Sequence, residues 1–363
     1  MRFALLFITL LLAGCNLLDL TPVSEVVRMR VAGVSAEPAE IGLGETSTLT
    51  SLLVHPPGVT PALGQIWFAC LESSGATGCL GLDLAGALGD TSGDDDDAAP
   101  PDFTSGDFQF GIGESFEYTA EGDLLAEAWA ALEPEDRVEG LTLLVAVNYV
   151  ERSNQELSDL LIALGTAFQT DDQPTIDTLV EEFTGLLDTS ITAARRVVIS
   201  DKSAAQPADD VECAATQLLP NSNPDLSGIR VHVDSQGFDE GFPLGPITFV
   251  GPGEQLVLRP EMPTTSTEDY LFIDRNGETE CRREDPFFAW IVSGGASVRD
   301  DYSFVAEIGD LDDVAGRAKV NRITMPVAEE FAPEGVSLWV VARDRRGGLT
   351  WTERRFLPYA SVP

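Results

Sequence analysis

The chain has 363 residues, 44% of them hydrophobic, and carries 60 acidic against 22 basic side chains, a formal net charge of −38. That length and apolar content allow two or three domains with real cores. A surface this anionic repels phosphate backbones, so nucleic acid is not an expected partner; it repels anionic lipid too, so a membrane link is expected to come from attached lipid alone.

Read from the N-terminus, Arg2 precedes an apolar run from Phe3 to Ala13. As a helix, eleven residues reach about 16 Å, roughly half of a ~30 Å hydrocarbon core, which makes the run a signal peptide and not a span. It ends in Leu12-Ala13-Gly14-Cys15, which resembles the lipobox of bacterial lipoproteins. The resemblance implies cleavage after residue 14, a diacylglycerol on the Cys15 sulfur and acylation of the new amine. Two or more acyl chains make membrane attachment stable. Asn16, in place of the aspartate associated with inner-membrane retention, implies the outer membrane. Residues 1–14 are then the signal peptide and 15–26 a lipidated tether.

With Cys15 committed, Cys70, Cys79, Cys213 and Cys281 remain. An even set in an exported chain predicts two disulfides, and four cysteines allow three pairings. Cys70–Cys79, closing the loop "CLESSGATGC", and Cys213–Cys281 are the preferred ones. No C-x-x-C pair occurs and both histidines are far from any cysteine in sequence, so no zinc site is expected.

Beyond the tether, "VVRMRV", "TSTLTSLLV", "QIWFACL" and "LTLLVAVNYV" alternate apolar and polar residues as strands do. The stretch 83–102, with its run Asp94–Asp97, breaks every periodicity and reads as a solvated acidic loop. After Val150 the period changes. Ser153 and Glu156 form a capping box, followed at helical spacing by Leu157, Leu160, Leu161, Leu164 and Phe168. Pro174 opens a second helix with Ile176, Leu179, Val180, Phe183 and Leu187 on one stripe. Residues 153–189 are therefore an αα-hairpin, either capping the sheet or projecting from one end to offer a groove. "AARRVVIS" resumes as a strand.

The second half repeats the first in outline. Gly44-Glu45, Trp67, Glu139-Gly140 and Arg195-Arg196 are echoed in the same order by Gly253-Glu254, Trp290, Glu334-Gly335 and Arg354-Arg355. From the Glu-Gly pair to the Arg-Arg pair takes 56 positions in the first copy and 20 in the second, and the helical hairpin fills the difference. The second copy shows the bare hairpin, "SLWVVARDRRGGLTWTERRFL", around Gly347-Gly348. Short strands, turn signals and a Trp strand point to a mainly β fold of two antiparallel β-sandwiches. This resembles the Ig-like modules of bacterial surface proteins over 27–200 and 227–359, with 201–226, including "PNSNPDL", as linker. Cys70 sits on the Trp67 strand itself, so the inter-sheet disulfide of immunoglobulin domains is missing.

Chemical motifs are scarce. No nucleophile elbow, phosphate-binding glycine pattern or zinc-protease helix occurs, so neither catalysis nor a cofactor is expected. His55 and His232 read as surface imidazoles. Asp274-x-Asn276-Gly277 resembles the centre of an EF-hand loop, but that frame puts Phe272 and Arg283 where carboxylates are required, and a hairpin turn fits better. Calcium at Asp94–Asp97 or Gly309–Asp313 is the minor expectation. The function expected is structural or protein-binding work at the cell envelope, with an envelope protein as partner. An accessory or degenerate envelope hydrolase and a calcium-dependent adhesin are the alternatives.

Overall fold

The computed structural model describes residues 23–59, 62–71, 108–134, 136–170, 172–203, 212–213, 218–233, 241–263, 266, 269–273, 277–304 and 320–359. The acidic stretch 83–102, Cys15, Cys79, Asp274, Asn276 and Gly309–Asp313 lie outside them.

The first half opens with β1 (Glu25–Val26), β2 (Arg30–Glu37), β3 (Glu40–Ile41) and β4 (Thr46–Val54). It continues through β5 (Gly64–Leu71), β6 (Phe108–Ile112), β7 (Ser115–Thr119) and helix α1 (Asp123–Ala131). Strand β8 (Leu141–Val150), helices α2 (Asn154–Gln169) and α3 (Gln173–Asp188), and β9 (Ile191–Ile199) complete it. The second half runs β10 (Gly228–His232), β11 (Phe242–Pro243), β12 (Ile247–Val250), β13 (Gln255–Glu261), β14 (Asp269–Ile273) and β15 (Thr279–Arg283). Then come β16 (Phe287–Ser293), β17 (Ser297–Val298), β18 (Tyr302–Phe304), β19 (Asn321–Thr324), β20 (Val336–Arg343) and β21 (Leu349–Pro358).

Both halves are sandwiches with one strand order. In the first, a sheet β2-β4-β7 faces β3-β9-β8-β5-β6; in the second, β10-β13-β19 faces β12-β21-β20-β16, with β18 on the outer edge of β16 where β6 lies on β5. The sequence landmarks are the joints of this plan. The Glu45 and Glu254 carboxylates accept from Gly42 N (2.8 Å) and Gly251 N (2.6 Å), closing equivalent turns. Gly140 and Gly335 have φ of 78° and 85°, and a Cβ there would stand 2.0 Å from the Ile199 carbonyl oxygen and 2.2 Å from that of Phe356. Only glycine allows so close an approach. Trp67 and Trp290, 0% and 1% exposed, centre the two cores, and each indole N–H donates over 2.8 Å, to the Gly113 carbonyl and the Ser303 hydroxyl.

The helical pair settles onto the first half. Ser153 caps α2, its hydroxyl accepting from Glu156 N while the Glu156 carboxylate accepts from Ser153 N, and Pro174 sits in the first turn of α3. Leu157, Leu160 and Phe183 pack with Ile66, Phe68 and Val150, on the face of the β5–β8 sheet turned away from the Trp67 core. Leu164, Ala167 and Ile176 join the helices to each other. The stripes are thus used largely to cover the sheet and to join the helices to each other. Phe168, expected on the stripe, is 40% exposed, and Ala167 takes the inward position.

Candidate functional site: the seam between the halves

The two sandwiches meet along an apolar seam. Leu52 and Val54 of β4 pack against Ile291, Trp339, Val341 and Leu349 of the second half, and Val26 joins them from β1. Trp339, 1% exposed, is the largest side chain in this cluster. Strand β1 is the last two residues of the expected tether 15–26 yet belongs to the other half's sheet, pairing in parallel with β16 at Glu25↔Val292 and Val26↔Ser293. Pairing here protects the part of the β16 edge that β18 leaves open.

A polar lattice runs beside the apolar one, built on the expected linker. Asn221, 4% exposed, donates from its backbone N to the Glu40 carboxylate (2.6 Å) and from its amide to Asp344 (2.9 Å). Glu40 also takes the Ser200 hydroxyl (2.5 Å) and the Lys202 ammonium (2.6 Å). Asn223 donates to the Ala36 carbonyl and the Glu37 carboxylate, both at 2.6 Å, and accepts from Leu349 N (2.8 Å). Glu40 and Asp344, both buried, are therefore committed to holding the halves together.

Where the seam opens to solvent it forms two adjoining hollows of about 510 and 360 Å³ that share Val31, Ala32, Phe287 and Arg343. Arg195, Arg196 and Arg345 complete the cationic lining of one; Arg30 lies in the other with Tyr302 and Asp301. Five arginines against one lining aspartate is the reverse of the balance over the whole chain. Among the described residues three of them meet only backbone carbonyls: Arg195 reaches Val34 (2.7 Å) and Gly347, Arg343 reaches Ala32 (2.9 Å), and Arg30 reaches Val23. None of the three has a carboxylate within ion-pair distance among the described residues, and the Arg195 Nε is buried without a partner. Burial holds Arg195 down to about 10, with Asp344 opposing and Arg343 adding to the shift; Arg343 and Arg30 are lowered for the same leading reason. Arg345 pairs with Asp285 at 3.0 Å and is held at φ 66°, a left-handed conformation costing a non-glycine residue about 1–2 kcal/mol. Guanidinium forks with spare donors match planar or tetrahedral oxyanions.

Of the residues singled out in the sequence, Cys213 and Cys281 are joined, tying the linker segment to the β14–β15 hairpin, and Cys70 is disulfide-bonded. Cys79 and Cys15 fall outside the described residues. His232 departs from the surface reading. It is 4% exposed because the segment of Gly241 returns over it and β11 pairs with β10. His55 is half-buried, edge-on to Trp339 at 6.4 Å. The described residues contain no group of three or more metal-ligating side chains. The seam arginines were missed as a site because they are spread from position 30 to 345. The available signal was the density of arginine in "RMR", "ARR" and "ARDRR" within so acidic a chain.

No protein-family model matches the chain, and no curated protein matches it. Among solved structures it is similar to the three N-terminal domains of the Highly Immunogenic Outer Capsid protein (Hoc) of bacteriophage RB49, at 9% identity and a TM-score of 0.17, over 91% of this chain and 59% of that one. It is similar to trypsin-activated alpha-2-macroglobulin from Escherichia coli at 7% identity and 0.21, over 91% and 18% of the two chains. For Salmonella alpha-2-macroglobulin reacted with methylamine the values are 10% and 0.20, over 93% and 17%. The chain spans less than two thirds of each of these, and at such TM-scores the likenesses carry no argument.

Proposed function

We propose that this chain is a lipoprotein of the bacterial outer membrane, held by acyl chains on Cys15, with a non-catalytic structural or protein-binding role. Its two halves are read as tandem Ig-like modules, 27–200 and 227–359, that arose by duplication, a reading supported by their shared strand order. The observation that carries the proposal is the seam. The segment that leaves Cys15 is knitted through β1 into the far half, and the groove beside it presents guanidinium donors and apolar walls, the makings of a binding surface. The buried carboxylates that an acid–base hydrolase would use are instead bonded on every side by Asn221, Ser200, Lys202 and backbone amides.

The test is the mature N-terminus. Mass spectrometry of the protein from the cell envelope is expected to find a first residue Cys15 carrying a diacylglyceryl group and an amide-linked acyl chain. Cys15→Ala is expected to leave an unprocessed precursor. A mature chain that begins elsewhere, or an unmodified Cys15, contradicts the proposal.

A further inference from the structure

The seam groove and the tether come together in one place. Val23 and Ser24, the first described residues after Cys15, line the smaller hollow alongside Arg30, Arg343 and Tyr302. Cys15 lies eight positions before Val23, a reach of at most about 28 Å even when extended. A compact chain of this length is about 50 Å across. An anchor at Cys15 therefore cannot leave the groove on the far side of the body, and the arginine-lined face lies within reach of the headgroups.

Charge at that distance is a local matter. At physiological salt the screening length is about 8 Å, so a headgroup at the groove responds to Arg30, Arg195, Arg196, Arg343 and Arg345 far more than to the −38 of the whole chain. Among the described residues the wall holds one acid, Asp301, while Asp285 is paired with Arg345 and Asp344 is engaged by Asn221 and the turn amides. Among the described residues no carboxylate takes up the donors of Arg30, Arg195 or Arg343, and the Arg195 Nε is buried without a partner. Phe287, stacked obliquely with Tyr302 and Phe304, gives the same hollow an apolar and aromatic wall. Forked cations beside an aromatic wall suit a phosphate ester attached to an apolar body.

We propose that the seam groove binds the phosphate of an anionic phospholipid headgroup, laying this face of the protein against the bilayer that holds its N-terminus. The inference rests on the lipid-anchor reading above. It also revises the expectation that so acidic a body touches the membrane only through its acyl chains: the repulsion is global, and the contact face is basic.

Arginine footprinting of the intact chain tests this without altering the fold. The protein is reconstituted in phosphatidylcholine vesicles with or without phosphatidylglycerol, treated with phenylglyoxal, digested, and the modification of each arginine is quantified by mass spectrometry. Arg30, Arg196 and Arg345 are expected to react about fivefold more slowly when phosphatidylglycerol is present, while Arg282 and Arg355, outside the groove, are unchanged. Inorganic phosphate added to the detergent-solubilised protein is the second arm. Protection by free phosphate without further protection by phosphatidylglycerol overturns the headgroup assignment in favour of a soluble phosphate ligand. Equal reactivity in every condition overturns the site. The same digest reports the N-terminal peptide, so an absent acyl chain is read separately from an absent anion site.

Discussion

At 1% exposure Asp344 is a charge almost removed from water, and both its oxygens are occupied: Oδ1 by the backbone N–H groups of Arg346 (2.8 Å) and Gly348 (2.7 Å), Oδ2 by the amide of Asn221 (2.9 Å). A buried carboxylate is tolerable only on such terms. Replacing Asp344 by Ala strands two turn amides and one side-chain amide, and the expected loss is about 3 kcal/mol or more by urea unfolding. Glu40 and Lys202, with side chains 6% and 18% exposed, form a second pair of this kind at 2.6 Å. Glu40→Ala is expected to cost about 3–5 kcal/mol, because the lysine is left without its counter-charge, and the double variant with Lys202→Met should recover part of it. A single-variant loss under about 1 kcal/mol would show that the polar lattice does not hold the seam. None of this was legible beforehand. "PNSNPDL" has the composition of a loop, and nothing in it says that Asn221 and Asn223 bond to residues more than a hundred positions away.

The elements were far more open to reading. Strands β4 and β8 cover the stretches their apolar composition marks, but neither keeps a strict period of two: β4 buries Leu49 in the first core and Leu52 and Val54 in the seam, and β8 is buried on both faces from Val145 to Val150, where the helical pair covers its outer side. The Ser153 cap was equally plain, since capping is a local bargain between residues three apart. The two bonds from Ser153 hold the Glu156 carboxyl below its usual range, so the capping box is at full strength above about pH 4.5 and weakens as pH falls through the lowered value. Ser153→Ala removes the hydroxyl bond but keeps the backbone N–H bond, the larger of the two causes, so it should move the Glu156 titration, followed by NMR, part of the way up towards the ordinary glutamate range; an unmoved titration would contradict the hydroxyl's share. What the sequence left open was the destination of the helical pair. Periodicity gives a stripe but not its partner, and Ile66, Phe68 and Val150 are the partner here. Excising 153–189 would uncover that strip, so the shortened chain is expected to aggregate unless Ile66 and Phe68 are made polar. Leu157→Ala in the intact chain should cost about 2–5 kcal/mol.

On the scale of the molecule, the repeat was visible in four landmark pairs, and the joint between the copies was not. The residues that build each sandwich recur in both halves, such as Trp67 and Trp290 or Gly140 and Gly335, but the seam is made from residues the halves do not share. Val26 and Trp339 meet there because β1 crosses to the other half's sheet, and no local pattern in "VVRMRV" marks the break between β1 and β2. The seam arginines escape for the same reason: Arg195 keeps its landmark position but spans to Gly347, whereas Arg354 turns to Leu244 within its own half. The disulfide between Cys213 and Cys281 adds a further tie across 68 residues, and its removal by Cys281→Ser is expected to lower stability by about 4 kcal/mol.

The apolar seam and the polar lattice beside it join the two sandwiches into one body. Scanning calorimetry of the intact protein addresses that directly. A single transition is expected, with calorimetric and van't Hoff enthalpies in agreement, splitting into two only when Trp339→Ala and Asn221→Ala open the seam together. Two separate transitions in the unaltered chain would contradict it.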